Sequence, residues 1–88
     1  MKTLFEKSFG RDLKKLQDKR LLKQVQEAIA QVESAATIND LSNLKKMQGF
    51  DTYYRIRVGD YRIGIEIVEG QVIFVCFLNR KDIYRYFP

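Results

Sequence analysis

The sequence contains no histidine and only one cysteine, Cys76. Zinc sites built from histidine or paired cysteines are therefore excluded, and so are the Ser-His-Asp and Cys-His arrangements of nucleophilic enzymes. One cysteine cannot form an internal disulfide, and its place in the apolar run 72–78 indicates a buried thiol. Any enzyme built from this chain therefore works without the side chain that ordinarily titrates near neutral pH.

Signals for a second domain, a membrane segment or a phosphate-binding loop are also missing. The 88 residues contain no repeat, linker, low-complexity segment or glycine-rich loop. The N-terminus has no apolar h-region, and no run approaches the ~18 apolar residues of a membrane span. We therefore expect one domain, residues 1–88, in a soluble cytoplasmic protein with no membrane partner.

Basic residues outnumber acidic ones, 16 to 11, and the pI is near 9.5. This balance favours a polyanionic partner such as nucleic acid or an acidic protein. From Tyr53 onward the chain has five arginines but a single lysine, Lys81, whereas lysine dominates the first half. Arginine presents a planar fork that matches phosphate in a bidentate way, so the second half favours an anion of defined geometry.

Apolar spacing predicts a short strand and two helices in the first half of the chain. The strand is expected within residues 1–6. From Ser8, the expected N-cap, apolar residues recur at helical spacing. A break at 17–19 separates this helix from a second one over about 19–35, and the two are expected to pack antiparallel.

The connector 37–51 is predicted to contain one or two helical turns. The reason is that Leu41, Leu44 and Met47 follow one another at helical spacing. Gly49 is expected to end this segment.

After the connector, the apolar period changes from helical to alternating. Alternation over 54–58 and 61–67, with the turn signal GD at 59–60 between them, predicts a β-hairpin. The turn signal EG at 69–70 precedes 71–78, whose nearly continuous apolar character is typical of a central strand covered on both faces. The order β-α-α-β-β-β predicts an α+β fold, in which an antiparallel two-helix hairpin covers one face of a mostly antiparallel four-stranded sheet.

The hairpin is expected to place arginines on the sheet face that the helices leave uncovered. Alternation assigns Arg55, Arg57 and Arg62 to this face, and Arg80 follows the next strand. Like charges opposite each other destabilise a sheet, so such a row favours a bound anion. A solvated face balanced by carboxylates such as Glu66 is the alternative, and composition does not separate the two. Basic groups mixed with aromatic ones suit unstacked RNA bases, and the aromatic residues here are Tyr53, Tyr84 and Tyr86.

Three segments of the chain resemble a known family, in the order in which that family has them. They are FEKSFGRDLKKL (5–16), LSNLKKMQGFDTYYRIRVGDYRIGIEI (41–67) and NRKDIYRYFP (79–88), and their most specific parts are YYRIRVGDYRI and NRKDIYR. Together they resemble the RelE/ParE superfamily of type II toxin–antitoxin toxins over nearly the whole chain. The fold of that family, two helices on an antiparallel sheet, agrees with the fold predicted from periodicity.

The resemblance implies a small toxin that an antitoxin neutralises. RelE-like members cut mRNA in the ribosomal A site, and ParE-like members inhibit DNA gyrase. In the RNases of the family, the ribose 2′-OH attacks the adjacent phosphate without a metal or cofactor and leaves a cyclic phosphate. We therefore expect a ribosome-dependent endoribonuclease, an mRNA interferase, whose partners are mRNA, the 70S ribosome and an acidic antitoxin. The alternative is a ParE-like, non-enzymatic inhibitor of DNA gyrase.

The resemblance also implies roles for individual residues. Arg62 and Arg80 are expected to stabilise the charge that develops on the phosphate. Tyr84 is expected to stack on the nucleotide or to pass a proton to the leaving 5′-oxygen. The residues predicted to bind RNA are Arg55, Arg57, Lys45 and Lys46.

The proton acceptor is harder to assign from the resemblance. RelE itself has lysines at the positions of Arg55 and Arg57, and many relatives have histidine at the position of Asn79. Arginine is effectively never deprotonated, so neither arginine is expected to act as a base. Glu66 is the remaining candidate proton acceptor, and pairing with an arginine is its alternative role. Without a base, catalysis rests on positioning and charge stabilisation, with the ribosome fixing the in-line geometry.

Overall fold

A five-stranded sheet forms the centre of the protein in a computed structural model that describes residues 1–88. In chain order the elements are β1 (Lys2–Phe5), α1 (Lys7–Lys14), α2 (Lys19–Ser34), a 3-10 turn (Ile38–Asp40), β2 (Leu44–Lys46), β3 (Tyr53–Val58), β4 (Tyr61–Val68), β5 (Gln71–Asn79) and α3 (Ile83–Tyr86). The strands lie in the order β1-β5-β4-β3-β2, with β1 parallel to β5 and every other pair antiparallel. The predicted α+β class is confirmed. None of the helices has both the length and the apolar character needed to cross a membrane.

The sheet has one strand more than the four predicted, because part of the connector is a strand rather than a helix. The three-residue spacing of Leu41, Leu44 and Met47 imitates a helical stripe, but these side chains do not share one face. Leu41 and Leu44 pack on the helix side of the sheet, whereas Met47 is buried on the other side. Helical structure in the connector is limited to the single 3-10 turn, which Thr37 caps.

α1 begins earlier than predicted and is tied to β5. The amides of Phe9 and Gly10 donate to the carbonyl oxygen of Glu6, 3.1 and 3.4 Å away, so Glu6 rather than Ser8 is the N-cap. The Ser8 hydroxyl lies inside the helix and donates to the carbonyl of Val75 in β5. The predicted N-cap is therefore wrong, because this serine is used in a contact between helix and sheet.

The main core lies between the two long helices and the sheet. Its buried side chains come from α1, α2, β3, β4 and β5 and are Phe9, Val25, Val32, Ile56, Val58, Ile63, Ile65, Val72, Phe74 and Phe77. Fully burying a side chain such as valine, isoleucine or phenylalanine contributes roughly 1.5–3 kcal/mol. Because α1 and α2 both contribute buried side chains to this core, both helices cover the same face of the sheet, as their apolar stripes predict.

The opposite face carries a second, smaller cluster that the sequence does not predict, formed by Met47, Cys76, Ile83 and Phe87. A register shift between β4 and β5 makes it possible, because Gly64 pairs with Cys76 whereas Ile65 pairs with Phe74. Val75 is the extra residue of this bulge, so the alternation of β5 changes there and Cys76 points away from the main core. Cys76 is buried, as predicted, but beneath α3 rather than beneath the long helices.

Candidate active site

The basic side chains of the hairpin share one sheet face because of the strand register. Arg57 lies directly opposite Arg62 on β3 and β4, and Lys45 of β2 lies opposite Arg55. Directly opposed residues of antiparallel strands point to the same face, with Cβ atoms about 4.5–5.5 Å apart. Arg80 follows β5, and its positive charge acts on Arg62. We call these five residues the basic cluster.

The basic cluster has no acidic partner. The one ion pair of the chain joins Lys46 Nζ to Asp51 Oδ1 at 3.8 Å, outside the cluster. Since like charges on neighbouring strands repel, the cluster leaves a concentrated and uncompensated positive potential on this face. An anion with several oxygen atoms relieves such repulsion, as phosphate does when arginine binds it in a bidentate way.

Arg62 is held by main-chain acceptors rather than by a carboxylate. Its Nη1 donates to the carbonyl oxygens of Gly59 and Tyr61, 2.9 and 2.8 Å away. Partial burial lowers the pKa of Arg62, and the charges of Arg55 and Arg57 lower it further. The guanidinium nevertheless stays charged, because arginine is effectively never deprotonated in proteins. The arrangement therefore keeps an oriented cation available for an anionic ligand.

Tyr84 projects from α3 onto the basic cluster. Its phenol oxygen accepts a hydrogen bond from Nε of Arg55 at 3.3 Å, and 61% of the residue is exposed. This hydrogen bond lowers the pKa of the Tyr84 phenol, and the charges of Arg55, Lys45 and Arg62 lower it further, against the opposing effect of burial. Tyr84 thus combines an accessible ring with a hydroxyl that gives up its proton more readily than an ordinary tyrosine.

Lys46 is a predicted RNA-binding residue that the register places elsewhere. It lies opposite Tyr54, whose side chain packs on the main core, so Lys46 belongs to the helix side of the sheet. There it forms the ion pair with Asp51. Adjacent residues of a strand point to opposite faces, so only Lys45 of the two lysines joins the basic cluster.

Glu66, the candidate proton acceptor, lies on the predicted face but is separated from Arg62. It follows Arg62 by four positions in β4, which corresponds to roughly 13 Å along the strand. Between the two, the ring of Phe87 covers Gly64. Glu66 instead accepts a hydrogen bond from the Thr52 hydroxyl at 3.2 Å. Arg55 is a diagonal neighbour of Glu66 on the adjacent strand, yet Glu66 forms no ion pair with any member of the basic cluster.

The contribution of Asn43 is not apparent from the sequence. Its carbonyl oxygen accepts hydrogen bonds from the main-chain amide of Arg57 at 3.0 Å and from Nη1 of Arg55 at 3.3 Å. Asn43 has a φ of 62°, in the left-handed region that asparagine enters more readily than most residues. Every residue has a main-chain carbonyl, so this contact leaves no pattern of side chains in the sequence. The only signal is the asparagine itself and the turn that it favours.

The basic cluster and Tyr84 together offer cations for phosphate oxygens, a ring for base stacking and a titratable hydroxyl. No three of the Asp, Glu and Cys side chains lie close enough together to hold a metal ion. Fixed cations aimed at a phosphate stabilise charge that develops there without having to reorganise during the reaction. An exposed aromatic ring beside such cations suits an unstacked base. The combination is therefore suited to single-stranded nucleic acid.

Comparison with known proteins agrees with this chemistry. A family model described as the ParE toxin of the type II toxin–antitoxin system parDE matches residues 4–84. The chain is 45% identical to Toxin RelE3 of Methanocaldococcus jannaschii over an alignment of 89 positions that covers 100% of both chains.

Solved structures extend the similarity to three dimensions. A chain of the RelB-RelE antitoxin–toxin complex from Methanococcus jannaschii superimposes with a TM-score of 0.80 and 42% identity, covering 97% of this chain and 99% of that one. In the archaeal RelE-RelB complex from Pyrococcus horikoshii OT3, a chain with 19% identity has the same fold, with a TM-score of 0.72 and coverage of 90% and 93%. The chain therefore belongs to the RelE/ParE superfamily of type II toxin–antitoxin toxins, as its hairpin and its NRKDIYR segment predict.

Proposed function

We propose that this protein is an mRNA interferase, a ribosome-dependent endoribonuclease that cuts mRNA in the A site and so inhibits translation. The observation that carries the proposal is the basic cluster: four cations share one sheet face, Arg80 follows β5 close enough for its charge to act on Arg62, and no carboxylate is paired with them. Tyr84 is hydrogen-bonded to Arg55 in the same cluster. The 45% identity to a protein named Toxin RelE3 favours the RelE-like activity over the ParE-like one.

The proposed reaction is attack by a ribose 2′-OH on the adjacent phosphorus. The bond from O2′ to phosphorus forms, the bond from phosphorus to O5′ breaks, and O5′ takes up a proton. The products are a 2′,3′-cyclic phosphate and a 5′-hydroxyl. Arg62 and Arg80 contact the non-bridging oxygens, where negative charge accumulates. Arg55, Arg57 and Lys45 hold the flanking backbone and align the attacking and leaving oxygens.

Tyr84 is proposed to stack beside the scissile phosphate and to donate its phenolic proton to O5′. The lowered pKa supports proton donation, because the hydrogen bond from Arg55 stabilises the phenolate that donation leaves behind. Water takes the proton of the 2′-OH, since Glu66 lies beyond Phe87 and arginine cannot accept a proton. As the family resemblance implies, neither a metal nor a cofactor takes part.

The partner proposed to control this toxin is an acidic antitoxin. The structures from Methanococcus jannaschii and Pyrococcus horikoshii are complexes of RelE with RelB, and the first is described as an antitoxin–toxin complex. An uncompensated basic face favours an acidic partner, because complementary potentials speed association and select against other partners. A disordered acidic segment that folds on binding would wrap such a surface.

The experiment that tests the proposal is primer extension on a defined mRNA incubated with the purified protein, with and without translating ribosomes. Cleavage within codons is expected only when ribosomes are present. Arg62→Ala or Arg80→Ala should lower the rate by about 10²–10³-fold, the usual cost of losing one group that stabilises transition-state charge. Arg20→Ala is the matched control, because it removes one positive charge from α2, away from the cluster.

Two results would contradict parts of the proposal. Cleavage of free mRNA at the same rate would remove the ribosome from the reaction while keeping the endoribonuclease. No cleavage in either tube, from a protein that still arrests growth, would overturn the endoribonuclease itself. In that case an assay of gyrase supercoiling tests the ParE-like alternative.

A further inference from the structure

Gly64 lies in β4 directly between Arg55 on β3 and Cys76 on β5. A Cβ atom at this position would lie 2.6 Å from the Cys76 Sγ and 2.9 Å from two ring carbons of Phe87. Non-bonded carbon atoms have their optimal separation at about 3.5–4.0 Å, so only glycine leaves room for this ring. The Phe87 ring therefore lies directly on the backbone of the strand, in a socket whose floor is formed by Gly64 and Cys76.

Phe87 anchors α3 in this socket. The residue is only 4% exposed, and its amide donates to the carbonyl of Ile83 at 3.0 Å. Its ring meets the ring of Tyr53 edge to face, with 5.5 Å between the centroids, which is a favoured aromatic geometry. A helix of four residues is not stable by itself, so the position of α3 depends on these tertiary contacts.

Tyr84 depends on the same anchor. Its ring is mostly exposed, and its side chain has one hydrogen bond, the one from Arg55. At 3.3 Å that bond is slightly longer than the usual limit of about 3.2 Å, so a small shift of α3 breaks it. Ile83 and Phe87, both buried, flank Tyr84 in the chain and therefore set where its phenol lies.

We propose that Gly64 and Phe87 are positioning residues for the cleavage reaction. The Phe87 ring, seated in the socket, holds α3 on the sheet and so keeps the Tyr84 hydroxyl on Arg55. The effect on cleavage rests on the function proposed above, whereas the effect on the contact between Tyr84 and Arg55 does not. Gly64 thus acts through a ring that belongs to a residue far away in the sequence.

The experiment compares Gly64→Ala with Gly10→Ala. The second variant is the matched control, because a Cβ atom at Gly10 meets nothing within 4 Å. Single-turnover cleavage of ribosome-bound mRNA gives two quantities, the rate at saturating toxin and the toxin concentration at half the maximal rate. An NMR titration of ¹³C-labelled tyrosine rings, with the signal of Tyr84 assigned by Tyr84→Phe, gives the pKa of Tyr84 in the same proteins.

Gly64→Ala is expected to lower the saturating rate by about 10²-fold, the cost of misplacing a reacting group by about 1 Å. The half-saturating concentration should stay unchanged, because the basic cluster still binds the mRNA. The pKa of Tyr84 should rise toward the ordinary tyrosine value of about 10. Gly10→Ala should change none of these quantities. An unchanged Tyr84 pKa, or a change in the half-saturating concentration alone, would overturn the inference.

Phe87→Leu and Phe87→Ala keep the inference testable if Gly64→Ala does not fold. Leucine retains an apolar anchor and alanine removes it, so alanine should have the larger effect on both the rate and the Tyr84 pKa. Circular dichroism checks that the fold is retained. If the parent protein cuts no mRNA, the proposed function fails, and the NMR titration still decides the positioning role. If the parent protein cuts mRNA and both Phe87 variants keep its rate and its Tyr84 pKa, the positioning role alone fails.

Discussion

Arg57 and Arg62 face each other across β3 and β4, and neither forms an ion pair with a carboxylate. Like charges in directly opposed sheet positions destabilise the folded state, and the scale of such pair effects is roughly 0.2–1 kcal/mol. Arg57→Gln is therefore expected to raise the free energy of unfolding by about 0.5 kcal/mol, because it removes one charge and keeps a long polar side chain. Urea denaturation measures this change.

Arg57→Lys is the matched control for that measurement, because it keeps the charge and should not stabilise the protein. The increase in the free energy of unfolding of Arg57→Gln should also shrink in high salt, since the screening length for charges falls to about 3 Å at 1 M salt. A loss of stability in Arg57→Gln at low salt would show that the opposed guanidinium groups do not repel. The expected combination, a more stable protein that cuts mRNA more slowly, is typical of residues kept for function.

The titration of Tyr84 provides a second prediction for single residues. The hydrogen bond from Arg55 lowers the pKa of this phenol, so Arg55→Gln should raise it toward the ordinary value of about 10. Arg85→Gln is the control, because Arg85 lies over the ring of Tyr86, with its Cζ 5.4 Å from the ring centroid. NMR titration of the Tyr84 ring measures its pKa in both variants. Equal pKa changes in Arg55→Gln and Arg85→Gln would contradict a specific effect of Arg55.

The sign of the accompanying pH dependence follows from the direction of this shift. The folded protein releases the Tyr84 proton at a lower pH than the unfolded chain does. The resulting stability is therefore fully present above about pH 10 and is lost as the pH falls through the lower pKa of the folded state. Cleavage should show the opposite trend, because a deprotonated phenol cannot donate to O5′. The alkaline fall in the cleavage rate should move to higher pH in Arg55→Gln.

Among the elements, the hairpin could be predicted from the sequence and β2 could not. The strands β3 and β4 alternate clearly, and the turn at Gly59 has the positive φ of 58° that glycine permits. β2 has only three residues, too few to show a period, and its neighbours Leu41 and Met47 imitate a helical stripe. Pairing with β3 determines this strand, and three residues carry too short a pattern to show which neighbour they pair with.

The same distinction applies to the candidate site. Alternation within the hairpin is enough to place Arg55, Arg57 and Arg62 on one face. The separation of Lys45 from Lys46 needs the register of β2, which the sequence did not predict. The Phe87 ring that lies over Gly64, between Arg62 and Glu66, is likewise a contact between residues far apart in the chain.

The attachment of α1 to β5 leads to a prediction at the element scale. Asp12 Oδ2 accepts a hydrogen bond from the main-chain amide of Phe77 at 3.0 Å, just after the bulge of β5. Phe77 is only 4% exposed and this hydrogen bond is partly buried, so Asp12→Ala leaves a poorly solvated donor without a partner. The free energy of unfolding should fall by about 1–3 kcal/mol, as measured by urea denaturation. Asp12→Asn keeps an acceptor oxygen and should cost less, whereas equal losses in both variants would show that the carboxylate charge matters more than the hydrogen bond.

In the whole molecule, charge and apolar surface are divided between the two faces of one sheet. The helix side holds the main core, and the other side holds the basic cluster with α3 beside it. This division places the only fully apolar contacts of the basic face under the helix that carries Tyr84. The basic cluster and the anchor of Tyr84 therefore occupy neighbouring parts of the same surface.

The net charge of +5 raises the question of whether RNA binds the basic cluster or the whole basic surface. For single strands, the logarithm of the binding constant falls with the logarithm of the salt concentration, with a slope of about −0.7 for each phosphate neutralised. If the cluster neutralises about four phosphates, the slope is about −3. Fluorescence anisotropy of a labelled 2′-O-methyl RNA measures it, because this RNA lacks the attacking hydroxyl and is not cut. Arg57→Gln should reduce the slope by about 0.7, whereas Arg20→Gln, on α2, should leave it unchanged. Equal changes in the two variants would mean that RNA binds diffusely and that the basic cluster is not its site.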